Sequence, residues 1–141
     1  KTKYFKEEIE PYIHLNKMEN QIIFLKNLDR NELAILYQLA TIFIYPSIFE
    51  GFGIPIIEAL YSKTPVITTK SGVFPEAGGP YSLYINPDDV EDIQKTLLNI
   101  WEDEKKLNEI STKSFEFVQK FNDEVLFKEW KIFYENIIHG I

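Results

Sequence analysis

Two carboxylates and two glycines stand close together in the middle of the chain, in the run Pro46-Ser-Ile-Phe-Glu50-Gly-Phe-Gly-Ile-Pro55-Ile-Ile-Glu58-Ala59. Glycines at 51 and 53 allow φ > 0 and let a ligand approach the backbone, so that N–H groups become available as donors. Pro55 suits the first turn of a helix. A helix starting near Ile54 turns its positive end toward the same loop, which is worth about 0.3–1 kcal/mol to an exposed anion and up to ~2 kcal/mol when partly buried. These donors suit a phosphate. Carboxylates make poor phosphate ligands but good acceptors for vicinal hydroxyls. Glu50 in the loop and Glu58 one turn into the helix therefore approach one ligand from different directions, and a ligand carrying both phosphate and sugar hydroxyls satisfies the whole segment. The competing reading is that the glycines only turn the chain and Glu58 is a solvated helix residue, since a lone Gly-x-Gly is a weak signal.

The elements that must position this loop follow from periodicity. Short β-branched or aromatic runs alternate with helical patterns, as in βαβ units. Gln21–Leu25, Thr41–Tyr45, Pro65–Thr68 and Ser82–Ile85 read as about four strands, apolar on both faces as in a parallel sheet covered by helices. The second is stopped by Pro46, so the glycine loop leaves the carboxyl end of a strand, where open α/β sheets bind ligands. Tyr4–Met18 places Phe5, Ile9, Tyr12 and Ile13 on one helical face, with Pro11 expected to kink or divide it. Asp29 with Glu32 forms a capping box for a helix from Arg30 to about Ala40, with Leu33, Leu36, Tyr37 and Ala40 inward. Asp88 with Glu91 repeats that logic and opens a long helical region, broken near Phe121-Asn122-Asp123.

Composition removes whole classes of function. The 141 residues, 45% of them apolar, support one domain, and no Gly-, Ser- or Pro-rich linker divides it. Net charge is −7, with most of the acidic excess in residues 88–141, which argues against nucleic acid as a partner. There are no cysteines and only two histidines, His14 and His139, so no thiolate metal site, Cys nucleophile or convincing zinc site is expected. No apolar run approaches a membrane span or a signal peptide, which makes a reducing cytoplasmic setting the default.

Ser47-x-Phe-Glu50-Gly-Phe-Gly-Ile-Pro-x-x-Glu58-Ala-Leu, Thr64-Pro-Val-Ile-Thr68, Phe74-Pro-Glu-Ala-Gly78 and Leu83-Tyr-Ile-Asn-Pro87 occur in order. Together they resemble the C-terminal half of retaining GT-B glycosyltransferases, most closely the bacterial group-1 (family-four) enzymes that build capsule, lipopolysaccharide and exopolysaccharide. The resemblance implies a Rossmann-like α/β domain that binds a nucleotide-sugar donor. It makes Glu50 the first carboxylate of the family's Glu-x7-Glu motif, contacting the donor sugar near the anomeric carbon. Glu58 is the second, bonded to the ribose hydroxyls. Backbone N–H groups of Gly51, Phe52, Gly53 and Ile54 hold pyrophosphate and sugar, Ser47 heads the same donor-binding segment, and Lys26-Asn27-Leu28 takes the place of the base-contacting loop. The family usually has Gly where Lys26 and Lys63 stand. Glu76 is an even choice between ligand neighbour and loop carboxylate. Tyr45, Phe49 and Phe52 could line a base or sugar pocket, with core packing favoured for Tyr45, and Lys26 and Arg30 could approach a phosphate, with solvated positions favoured.

The resemblance also implies parts that do not precede Lys1, namely a basic Arg/Lys pair that neutralises the departing diphosphate and an N-terminal domain that holds a saccharide or lipid-linked acceptor. Residues 1–141 are thus expected to be a partial domain of a longer protein, peripheral at most at the inner membrane face, needing no metal or other cofactor. Alone the chain is expected to be inert and to bind donor weakly. The apolar stripe Val125, Leu126, Trp130, Phe133, Tyr134, Ile137 and Ile138 is expected to be partly exposed and to allow self-association, as is an unpaired sheet edge. The alternatives are another GT-B activity, such as a nucleotide-sugar epimerase or a phosphorylase, and a non-catalytic binding module with a degenerate donor site. No pyridoxal-phosphate lysine context supports the phosphorylase.

Overall fold

The computed structural model describes residues 2–140. Three short strands, β1 (Phe43–Tyr45), β2 (Val66–Thr69) and β3 (Leu83–Ile85), form a parallel sheet in the order β1-β2-β3. The register sets Tyr45 opposite Thr68 and Thr68 opposite Tyr84. Every residue of the central strand β2 is buried, as expected where helices cover both faces. Because successive side chains point to opposite faces, Val66 and Ile67 enter two separate cores. Val66 joins Ile56, Ala59, Leu60, Phe74, Ala77 and Val118 on one side. Ile67 joins Ile85, Ile100 and Leu107 on the other. This is the α/β layering the sequence implies.

The helices divide between these faces. On the first lie α2 (Arg30–Leu39), α3 (Ile54–Tyr61), α4 (Phe74–Gly78) and the end of α6 (Glu104–Val118). On the second lie α5 (Val90–Leu98) and the start of α6. Asp29 caps α2 as its sequence predicts: its Oδ1 accepts from the N–H groups of Asn31 and Glu32, and Glu32 Oε2 accepts from the Asp29 N–H. The cap of α5 is Asp89 rather than Asp88, because the Asp89 carboxylate accepts from the N–H groups of Glu91 and Asp92. A 3-10 turn at Gln119–Phe121 then breaks the helical run where expected, and Asn122 caps α7 (Asp123–His139).

Residues 2–28 depart from the expectation. Gln21–Leu25 is not a strand, so the sheet has three strands rather than about four. A β-branched run becomes a strand only when a neighbour supplies a ladder. This run joins neither edge of the sheet, and Ile23 is 81% exposed. Phe24 instead meets Phe5 edge-on at 5.0 Å. The preceding helix is not divided at Pro11: it runs on from a π-helical turn at Phe5–Ile9 into α1 (Glu10–Leu15), with Pro11 in the first turn of α1, where its missing N–H is tolerated. Of its predicted inward face only Ile13 is buried. At the other end, Trp130, Phe133, Tyr134, Ile137 and Ile138 on α7 are all more than half exposed. No helix among the described residues is long and apolar enough to cross a membrane.

Candidate functional site

β1 ends at Tyr45, and residues 46–53 carry the chain from its carboxyl end to the start of α3. Two threonines of β2 anchor that departure, since Thr68 Oγ1 donates to the Tyr45 carbonyl at 2.9 Å and Thr69 Oγ1 donates to the Ser47 carbonyl at 2.7 Å. Only one of the two loop glycines uses its freedom. Gly53 caps α3 in the left-handed region at φ 87°, and a Cβ there would sit 3.3 Å from the Ala77 Cβ. Gly51 has no positive φ and open space around it. Pro55 falls in the first turn of α3 as predicted. Gly53 is buried while its neighbours Phe52 and Ile54 are exposed, so the loop's outer backbone faces solvent at the helix's positive end.

The two carboxylates are tied differently. Glu50 is half-buried; its Oε1 accepts from the Tyr45 hydroxyl at 2.5 Å and from Ser47 Oγ at 3.3 Å. Ser47 Oγ lies equally close to the Phe49 carbonyl. Glu58, on α3, accepts from the Tyr37 hydroxyl of α2 at 3.3 Å. It borders a groove of about 370 Å³ with Arg30, Leu33, Tyr37 and Tyr61. Burial first, and then the Glu58 charge, push the Tyr37 phenol up to about 12. The hydrogen bond to Glu50, followed by burial, raises the Tyr45 phenol. Both hydroxyls therefore stay protonated and donating at neutral pH.

On the other side of the loop lies a hollow of about 540 Å³ bordered by Phe52, Ile54, Glu76, Lys120 and Phe121. Phe52 meets Phe121 edge-on at 5.5 Å, which joins the loop to the turn before α7. The Lys120 ammonium lies 4.2 Å from the centre of the Phe117 ring and donates to the Glu76 carbonyl at 3.4 Å. A third hollow, about 560 Å³, opens at the carboxyl ends of β2 and β3, beside Lys70, Ser71 and Asn86. Among the described residues no group of three or more His, Cys, Asp or Glu converges as a metal site would require.

Ser47, Glu50, Gly51, Phe52, Gly53 and Ile54 thus lie between one strand end and one helix start, and Glu58 lies one turn further along α3, in the groove against α2. Lys26, Asn27 and Leu28 are exposed on the approach to α2, with Asn27 left-handed at φ 54°. The groove beside Glu58 is bordered by Arg30 rather than by these three. Phe49 is 86% exposed and touches no pocket wall described above. Sequence reasoning missed the hydroxyls of Tyr37 and Tyr45 as partners of the two glutamates, and Lys120 beside the loop. A signal existed for the tyrosines, because a phenol at an inward position needs a polar partner. Nothing local pointed to Lys120.

Residues 3–117 match the family of glycosyl transferases group 1. The chain belongs to that family. Over 84 residues it is 46% identical to the O-antigen chain mannosyltransferase RfbU of Salmonella typhimurium, an alignment covering 60% of this chain and 24% of that protein. The chain therefore spans about a quarter of the length of that relative. Among solved structures it is similar to the C-terminal domain of the group 1 glycosyl transferase LpcC from Francisella tularensis, with 30% identity, a TM-score of 0.72, and 84% of this chain and 62% of that chain covered. Sucrose-phosphate synthase from Thermosynechococcus elongatus shares the fold at 24% identity and a TM-score of 0.81, over 96% of this chain and 35% of that one. The fold is the C-terminal half of the GT-B architecture, as the ordered sequence blocks imply.

Proposed function

We propose that this chain is the donor-binding half of a retaining glycosyltransferase that moves a hexosyl group from a nucleoside diphosphate to a saccharide or lipid-linked acceptor in surface-polysaccharide synthesis. The observation that supports the reading is the succession, in a family member, of Glu50 held by Tyr45, the left-handed Gly53 cap and Glu58 one turn into α3. In this reading the N–H groups of Gly51 to Ile54 take the pyrophosphate and sugar. Glu58 takes the ribose hydroxyls, and Glu50 is the catalytic residue beside the anomeric carbon. Ser47 completes the loop, and Lys26, Asn27 and Leu28 lie toward the base. The acceptor hydroxyl bonds to that carbon on the face from which the nucleoside diphosphate departs. The mannosyltransferase relative makes mannose the first sugar to try.

The experiment supplies the full-length protein with nucleoside diphosphate-mannose and a saccharide acceptor, and follows the product's anomeric signals by NMR. Product with the donor's configuration, formed equally in EDTA, is expected. Inverted product removes the retaining assignment, and donor epimerised without transfer favours the epimerase. The chain alone is expected to show no transfer and only weak donor binding by calorimetry. Its exposed α7 stripe is expected to make it self-associate in concentrated solution. A monomeric sedimentation profile there would contradict that last point.

A further inference from the structure

We infer that Tyr45 is a positioning residue for Glu50, holding its carboxylate so that one oxygen is engaged by the protein and the other is presented to the ligand; this rests on the reading of Glu50 given above. The Tyr45 ring is packed on two sides and its backbone is tied at a third point. It stacks on Phe43 with centroids 5.7 Å apart, meets Phe74 at 71° and 6.5 Å, and its own carbonyl is held by Thr68 of β2. A phenol set this firmly is a fixed donor, and the loop returns Glu50 Oε1 to it at 2.5 Å. Ser47 Oγ supports the same oxygen at 3.3 Å. Oε2 has no hydrogen-bond partner among the described residues that line the loop.

The consequence is directional. A loop glutamate without a fixed donor samples several rotamers, and each costs productive geometry at the reacting carbon. With Oε1 committed, rotation about the last side-chain bond is restricted and the lone pairs of Oε2 are left for a sugar hydroxyl. Hydrogen bonds to charged groups are among the stronger ones, so removing the hydroxyl should be felt in turnover. The ring itself belongs to the core and is retained by phenylalanine.

The test is a cycle of Y45F, E50Q and the double variant in the full-length protein, read as kcat and donor KM separately. Y45F is expected to lower kcat about tenfold in the parent and less than about twofold in the E50Q background, with donor KM and thermal midpoint nearly unchanged. Replacing Tyr45 by 3-fluorotyrosine, which keeps the hydroxyl, is expected to leave kcat within about twofold of the parent. An equal loss from Y45F in both backgrounds, or a parent-like kcat for Y45F beside a crippled E50Q, overturns the positioning role while leaving Glu50 in place. If E50Q itself transfers as fast as the parent, the reading of the site fails, and the Tyr45 role fails with it.

Discussion

The two ends of α3 make the same backbone demand and answer it differently. At the start, Gly53 is left-handed at φ 87° and packed against Ala77, so it meets both a conformational and a steric requirement. At the end, Lys63 is left-handed at φ 60°, immediately after the Ser62 cap, and its N–H donates to the Leu60 carbonyl at 3.0 Å. A β-carbon is disfavoured there too, yet a lysine occupies the position. Its ammonium lies 4.9 Å from the Phe115 ring centre, which offsets part of the strain. The start of α3 is constrained by the turn and by Ala77 packed against it, whereas the end leaves room for a lysine side chain. Glu50 sits in the loop just before Gly53 and Glu58 on the helix between the two ends, each held by a tyrosine from a different element.

The contrast can be broken first at the start. E50Q in the full-length protein is expected to lower kcat by at least ~10²-fold with the fold intact. E58Q is expected to raise donor KM by about tenfold with a smaller change in kcat, since a ribose contact acts on binding more than on the reacting carbon. Steady-state kinetics with varied donor separates these outcomes, and an exchange of the two effects would reverse the assignments. Next, G53A is expected to cost about 1–2 kcal/mol from the left-handed backbone alone. The Cβ contact at 3.3 Å adds to that loss, and chemical denaturation measures the sum.

A pH series reaches the tie between α2 and α3. Tyr37 holds its proton more tightly in the folded chain, up to about 12, than an unfolded tyrosine does near 10. Its contribution is complete below pH 10 and is lost as pH rises through about 12. Tyr84, pushed up to about 12 by burial and bonded to the Gly79 carbonyl, acts in the same window. Denaturation midpoints should therefore fall steeply between pH 10 and 12, and Y37F should make that fall shallower. The smallest effect belongs to the end of α3. K63G is expected to stabilise the chain by about 0.5 kcal/mol, the relieved strain less the lost ring contact. A destabilised K63G would mean that the lysine's contacts outweigh its backbone strain.

What the sequence made legible was local. Glu50, Gly53, Pro55 and Glu58 lie within one turn and one helix, so residue type and spacing already carry their geometry, and Asp29 with Glu32 needs only three residues to close its box. What stayed hidden depends on distant chain. Gln21–Leu25 has the composition of a strand, but pairing is decided by a neighbour, and β1 and β3 leave it outside the sheet. Asp88 with Glu91 has the spacing of a capping box, yet the cap fell to Asp89, which stands where the chain enters the helix. Tyr37 reads as a core residue because its ring is one; its hydroxyl reaches Glu58 only once α2 lies against α3. Lys120 comes near the loop only through the packing of Phe121 on Phe52.

The most direct measurement of the central claim is hydrogen exchange of the full-length protein with and without a nucleoside diphosphate-hexose. If the strand-to-helix junction is the donor site, amides from Gly51 to Glu58 should slow on addition of donor, and the E58Q variant should need about tenfold more donor for the same protection. Unchanged exchange at 51–58, with protection appearing instead around Lys70, Ser71 and Asn86 at the ends of β2 and β3, would contradict the account.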